Sequence, residues 1–382
     1  MESTGVYWIP LYDVLEKKGF KVYLVNARQL KNVPGRKTDV LDCQWLQQLH
    51  TYGLLTASFR PEQQIRTLRD LNRHRDTLIA YRASHIQHMQ KALHLMNIQL
   101  DNVITDITGL TGMMIIRSIL AGERNPDVLA RYRDRRCKSS REVIEKSLEG
   151  TYEPEHLFAL RQNLELYEYY TEKIKECDRE IENLYETIPP KVDDQEKPLP
   201  PAQLKHLRSQ KHEPEFDLRS HLYRTCGVDL TCVNGLNAVT VQTVISEIGV
   251  DMSKFRTEKQ LTAWLGLCPN RRVSGGKVLS TRTKKTKNRA NTALRQAARS
   301  LHHSDSALGA YYRRMQSKLG APKAITATAH KLARIIYLML KYQKEYRDMG
   351  ADYYERKYKE RILFHLQKRA RSLGYSLVPV AA

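Results

Sequence analysis

Between Glu258 and Asp305 the chain has no acidic residue, while Arg271, Arg272, Lys277, Arg282, Lys284, Lys285, Lys287, Arg289, Arg295 and Arg299 crowd the same stretch. A segment so charged has no place in a core and must lie at a surface. At its centre stands Ser274-Gly275-Gly276-Lys277. Glycines let backbone N–H groups approach an anion, and a following helix start adds a favourable dipole. The stretch therefore suits a phosphate-rich ligand. An ordinary turn beside a solvated basic face is the alternative that the loop itself leaves open.

Composition points the same way. The chain has 382 residues, enough for two or three domains. Its 63 Lys and Arg against 42 Asp and Glu give a formal charge of +21. DNA, RNA or an anionic membrane surface are the natural partners of such an excess. No apolar run approaches the ~20 residues of a membrane helix, so no membrane partner is expected. Met1-Glu2-Ser3 lacks the basic start and apolar core of a signal peptide. The cysteines, at positions 43, 137, 177, 226, 232 and 268, form no C-x-x-C pair and fit reduced cytoplasmic thiols better than disulfides or zinc.

Along the chain, an amphipathic helix through Leu11, Val14 and Leu15 should end at Gly19, and Phe20 to Val25 reads as a buried strand. Strand, helix and strand in so short a span argue for an α/β start. After a loop at Pro34-Gly35-Arg36-Lys37, Thr38 or Asp39 could cap a helix carrying Asp42. Asp39 and Asp42 share one helical face. They are either a cap and a surface residue or, with Glu2, a set of hard oxygen ligands for Mg²⁺.

From Pro61 to about Leu100 apolar residues recur at helical steps, interleaved with Arg66, Arg69, Arg73, Arg75 and Arg82. This basic helix is expected to touch nucleic acid. Short helices follow at 111–120, 126–132 and 140–148. Leu160, Tyr167, Ile174, Ile181 and Ile188 are spaced by seven, with the poorer companions Leu164, Thr171, Asp178 and Tyr185. That pattern predicts an imperfect coiled coil over 156–188, which either dimerises the chain or folds back as a hairpin. The proline-rich, charged stretch 189–219 reads as a linker. Cys232-Val233-Asn234-Gly235-Leu236 then opens an apolar helix, Ala238–Glu247. This resembles a helix-hairpin-helix, in which the N–H groups around Gly235 would meet a DNA phosphate, and an ordinary helical hairpin is the alternative that the segment itself leaves open. The C-terminal third is helical, with Ala324, Ala327, Leu332, Ile335, Ile336 and Leu338 as a packing face and a basic, tyrosine-rich surface over 353–371.

The ordered set of motifs resembles one family. Glu2-Ser3-Thr4-Gly5-x-Tyr7, Lys37-Thr38-Asp39-x-x-Asp42, the coiled coil, the helix-hairpin-helix, Ala263-Trp264-Leu265-Gly266-Leu267-x-Pro269, Ser274-Gly275-Gly276-Lys277 and Asn291-x-x-Leu294-Arg295 are similar to DEDD-type transposases of the IS-one-ten insertion-sequence family, in its IS-eleven-eleven group. The resemblance implies an α/β plus α chain. Its parts would be a partial RuvC-like (RNase H fold) DEDD domain with its long helix at 1–100, a helical and coiled-coil region at 101–188, the linker at 189–219, and a mostly helical transposase domain at 220–382.

The resemblance also implies Mg²⁺ held by Glu2, Asp39 and Asp42, with Ser274 as a nucleophile that forms a phosphoserine link to DNA. Relatives often have a second serine where Val273 stands, so Ser274 is the clearer candidate and Ser280 a fallback. Arg271, Arg272, Lys277, Arg282, Lys284, Lys285, Lys287, Arg289 and Gly235 would meet nucleic acid. A guide RNA encoded by the element and a homo-oligomer, dimer or tetramer, are further implied. The family's first aspartate lies on a strand upstream of the glutamate, which this chain is expected to lack. The alternative reading is accordingly a truncated, catalytically inactive DNA- or RNA-binding remnant.

Overall fold

The computed structural model describes residues 1–3, 5–26, 39–193, 197–201 and 212–378, with Asp39 described in its backbone alone. Thr4, the Pro34–Lys37 loop, the Thr38 cap and parts of the proline-rich stretch lie outside the described residues. The chain divides into two compact units, 1–62 and 63–382.

In the first unit, α1 (Trp8–Lys17) precedes α2 (Asp39–Thr51). Helix α1 ends as its glycine predicts. Gly19 takes φ +81°, its N–H donates to the Glu16 carbonyl at 3.0 Å, and the Phe20 N–H donates to Leu15 at 3.0 Å. This is the paired closure of a Schellman motif, which satisfies carbonyls the helix leaves open. On the other face of α1, Arg60 pairs with Asp13 at 2.5 Å and lies 3.9 Å from the Tyr12 ring centre.

The α/β character expected here is reduced to a minimum. Glu2 and Val25 form a single parallel bridge, with Val25 N–H donating to Met1 O at 2.8 Å and Ser3 N–H to Val25 O at 2.9 Å. Ser58 N–H donates to Leu24 O on the opposite side at 2.6 Å. Leu24 and Val25 are buried, but Phe20 is 61% exposed. The 20–25 segment has the strand composition without enough paired neighbours to build a named strand among the described residues.

Among its described residues, the second unit is helical apart from one hairpin. It runs through α3 (Gln63–Leu95), α4 (Leu100–Val103), α5 (Leu110–Leu120), α6 (Pro126–Ala130), α7 (Arg141–Ser147), α8 (Pro154–Thr187), α9 (Leu218–Cys226), α10 (Ala238–Ile248) and α11 (Glu258–Trp264). After β1 (Arg272–Ser274) and β2 (Lys277–Ser280) come α12 (Arg289–Ser300), α13 (Ala307–Leu319), α14 (Ala321–Tyr342) and α15 (Gly350–Ser372).

Helices α3 and α8 pack antiparallel over their length. Gln64 Nε2 donates to Thr187 O at 3.1 Å at one end, and His85 meets Asn163 at 2.9 Å towards the other. The heptad pattern of α8 is therefore satisfied within the chain. Leu160, Ile174 and Ile181 are buried, and so are the companions Leu164, Asp178 and Tyr185. Asp178 looked wrong for a seam because its partner, the buried Arg75, lies on α3. At the far end of the hairpin, Met89, Leu93 and Met96 join Ile115, Ile116, Ile119, Leu129, Ile144 and Leu160 in one apolar cluster that seats the short helices. Burying each such side chain stabilises by roughly 1.5–3 kcal/mol.

The proline-rich stretch expected as a linker is held against the following helix where it is described. Lys191 N–H donates to Arg224 O at 2.8 Å, and Tyr223 Oη donates to Lys197 O at 3.1 Å. In α14, Ala324, Leu332 and Ile336 are buried as expected, whereas Leu338 is 40% exposed. Two residues past Ile336 is 200° around a helix, so both cannot face one core. Among the described residues no helix is long and apolar enough to cross a membrane.

Candidate functional site

The acid-free stretch folds into a β-ribbon. Ser274 pairs with Lys277 and Val273 with Val278, and Gly275 and Gly276 form the turn between them with φ +53° and +77°. Positive φ at both central residues marks a type I′ turn, whose twist matches the flanking strands and which strongly favours glycine. The ribbon continues below the sheet, with a Pro269–Thr283 bridge and Asn270 N–H donating to Arg282 O at 3.0 Å.

Its base is locked to α12. The Asn291 side chain, buried, donates to Leu265 O at 2.7 Å, and Gly266 at φ +70° sits where a Cβ would come within 2.9 Å of Thr286 Cγ2. Asn288 caps α12, accepting from Asn291 N–H at 3.2 Å. The Asn291 motif thus acts as an anchor, a role the sequence pattern did not disclose.

At the tip, Ser274 is exposed and its hydroxyl has no hydrogen-bond partner among the described residues. Residues paired directly across an antiparallel ribbon project to the same face, so the Lys277 ammonium is the natural neighbour of the Ser274 hydroxyl. Ser280 is less available, since its Oγ accepts from Arg282 N–H at 3.2 Å. Two cysteines of this unit are held as thiols: burial pushes the buried Cys226 up to about 12 and the half-buried Cys232 up to about 11.

Arg271, Arg272, Lys277, Arg282, Lys284, Lys285 and Lys287 are all exposed and make no ion pair among the described residues. Arg289 is the exception: it pairs with Asp76 of α3 at 2.6 Å. No sequence signal could have found that partner, 213 positions away. Burial raises the Asp76 carboxyl above its ordinary range, and the Arg289 guanidinium partly offsets this.

The turn before α10 has a packing reason for its glycine. Gly235 takes φ +90°, and a Cβ there would lie 2.9 Å from the Ala297 carbonyl oxygen of α12. Its N–H donates to no backbone carbonyl among the described residues.

Three of the five α3 arginines expected on a nucleic-acid face take partners within the chain, with Arg75 buried, Arg69 half-buried and Arg73 exposed. Arg69 donates to the Ser246 and Glu247 carbonyls at 3.1 and 2.8 Å, Arg73 pairs with Glu247 at 2.8 Å, and Arg75 pairs with Asp178.

In the first unit, Asp39 and Asp42 stand one turn apart at the start of α2, with Asp42 exposed, and Glu2 sits at the bridge to Val25. Among the described residues no three His, Cys, Asp or Glu side chains group as a metal site. The donor chemistry of the three nevertheless suits a hard divalent cation, since all are carboxylates and none is a thiol or imidazole.

Residues 1–98 match the family profile of a DEDD transposase of the IS110 type, described as "Transposase". Residues 229–313, which include the ribbon and α12, match the profile described as "Transposase IS116/IS110/IS902 family". No curated protein matches the chain. With both profiles met in order, the chain is a transposase and belongs to the IS110 family, the IS-one-ten family of the resemblance.

Proposed function

We propose that this transposase moves an insertion sequence by cutting and rejoining DNA with Ser274 as the nucleophile. The observation that carries the reading is the unengaged Ser274 hydroxyl at an exposed ribbon tip, beside Lys277 and among cations without ion-pair partners. A serine oxygen is a weak nucleophile until it is deprotonated and the charge on phosphorus is met. In the step proposed, the Oγ–P bond forms as the bond from phosphorus to the leaving sugar oxygen breaks. The serine proton passes to solvent, and the leaving alkoxide takes a proton in return. The reverse reaction with another sugar hydroxyl rejoins a strand. Lys277, Arg271 and Arg272 would neutralise the crowded phosphorane.

Glu2, Asp39 and Asp42, in a RuvC-like domain, would hold Mg²⁺. When bound, the ion supplies Lewis-acid stabilisation of phosphate charge. Arg282, Lys284, Lys285 and Lys287 would follow a nucleic-acid backbone, with Arg289 joining once released from Asp76. The N–H groups at Gly235, in a helix-hairpin-helix, would add a contact that is blind to sequence. A guide RNA, a homo-oligomer and a cytoplasmic setting complete the reading, for which the excess positive charge and the family give support.

The test is a denaturing-gel assay for a covalent protein–DNA adduct with element-end DNA, Mg²⁺ and element RNA. Wild type is expected to form the adduct, and Ser274→Ala to lose it while keeping its affinity for DNA. Adduct formation by Ser274→Ala would sink the serine assignment. The second reading is a binding-only remnant, whose excess positive charge would hold nucleic acid without any cleavage chemistry. It predicts salt-sensitive binding and no adduct under any combination.

A further inference from the structure

Helices α13, α14 and α15 bring together positive charge at Arg314 and Lys331 with which no carboxylate among the described residues pairs. Lys331 of α14 lies 4.4 Å from the Tyr311 ring centre and 5.4 Å from that of Tyr354. Arg314 of α13 lies 3.8 Å from the Tyr358 ring centre, 5.2 Å from Tyr354 and 5.8 Å from Tyr311. The two cations thus share two rings, which themselves meet edge to face at 6.2 Å. Arg361 of α15 and Arg334 of α14 add their fields to the same spot.

The neighbourhood lacks compensation. Arg334 pairs with Glu258 at 3.3 Å and Glu360 with Lys357 at 2.9 Å, but no carboxylate pairs with Arg314, Lys331 or Arg361 among the described residues. The Arg314 Nε–H is buried without a hydrogen-bond partner. Burial first, and then the like charges of Arg314, Arg334 and Arg361, hold the Lys331 ammonium below its ordinary range. Ring faces attract cations, but they do not satisfy N–H donors as an oxyanion does. Arg314 also reaches the Tyr354 hydroxyl, but a half-buried pair of like charges with an open Nε–H is costly to keep unless an anion is bound there.

We propose that Arg314 and Lys331, framed by Tyr311, Tyr354 and Tyr358, grip a backbone phosphate of a bound nucleic-acid strand, as a contact separate from the β-ribbon. A phosphodiester supplies the single negative charge and two free oxygens to which a guanidinium fork and an ammonium can together donate. The chain's excess charge favours a polyanion over an isolated anion. The proposal rests on the nucleic-acid reading above. The phosphodiester belongs equally to DNA and RNA, so the experiment has an arm for each.

The experiment measures anisotropy of labelled duplex DNA, single-stranded DNA and single-stranded RNA with the full chain, across a KCl series. Arg314→Gln/Lys331→Gln is expected to weaken binding about tenfold in at least one arm, and to make the slope of log K against log salt shallower by about one. Loss confined to the RNA arm assigns the clamp to RNA, and loss confined to DNA assigns it to DNA. Arg314→Lys/Lys331→Arg, which keeps the charges, should retain the slope. Melting curves should show the Gln variant no less stable than wild type, since a like-charge pair has been removed. The single Lys331→Gln variant serves if the double variant does not fold. Unchanged affinity and slope in every arm overturn the clamp while leaving the ribbon's role standing. Failure of wild type to bind any of the three would overturn both.

Discussion

Helix α3 and the 271–289 segment are both arginine- or lysine-rich in sequence, and they use that charge in opposite ways. On α3, Arg69, Arg73 and Arg75 are spent on partners inside the protein. Arg69 meets carbonyls at the end of α10, which a helix leaves without intrahelical donors. Arg75 is buried and holds Asp178, with a further bond to His212 O at 3.0 Å. On the ribbon segment the cations stay exposed and unpaired among the described residues, apart from Arg289. Density of basic residues therefore does not mark a nucleic-acid surface. What decides is whether distant carboxylates and carbonyls arrive to claim the charges.

The sharpest way to break this contrast is Arg75→Ala. Leaving Asp178 buried and alone should cost about 3–5 kcal/mol in urea unfolding. A loss under about 1 kcal/mol would mean that the α3 charge is not structural after all. The converse test replaces Arg282, Lys284, Lys285 and Lys287 with Gln. Nucleic-acid affinity should fall about a hundredfold, near 2.7 kcal/mol, with a shallower salt slope. Unfolding should shift by no more than about 0.5 kcal/mol. An equal loss of stability would erase the distinction between the two regions.

Glu247→Gln sharpens the comparison at the α3–α10 contact. It removes the buried charge facing Arg73 while leaving the carbonyl bonds of Arg69, so a loss of about 2 kcal/mol is expected in the same unfolding measurement. DNA affinity should not change.

The smallest effect concerns the one residue that belongs to both regimes. Asp76→Asn should free Arg289 and tighten nucleic-acid binding two- to threefold, with the salt slope steeper by about one. The pH dependence has a definite sign. Because burial raises the Asp76 carboxyl, its contribution to stability is fullest below the ordinary value of 3.8 and is lost as pH rises through the raised value. Near neutral pH the ionised form costs the fold, so Asp76→Asn should not destabilise it. Weaker binding by this variant would show that Arg289 does not serve the ligand.

Much of the helical pattern was legible because it is local. Gly19 closes α1 where the sequence places it, at φ +81°. The short helices over 110–148 follow their apolar spacing closely, and so does α10. The Ser-Gly-Gly-Lys tip was recognisable as a glycine turn, but its form as a two-residue hairpin was not expected. That form depends on Pro269 and Thr283 meeting below it, and on Asn291 tying its base. The strand read over 20–25 fared worse, since composition supplies a strand's side chains but not the neighbours it pairs with.

The sequence by itself determined that this chain is a strongly basic transposase with a serine on a glycine turn and helices at defined places, because charge, caps and periodicity are written in adjacent residues. Only the tertiary structure decided that α8 folds back on α3, that Asp178 and Glu247 engage three of the five α3 arginines, and that Arg314 and Lys331 share one aromatic frame. Those outcomes depend on groups far apart in the chain, and whether a charge is neutralised depends on what comes within hydrogen-bonding distance of it.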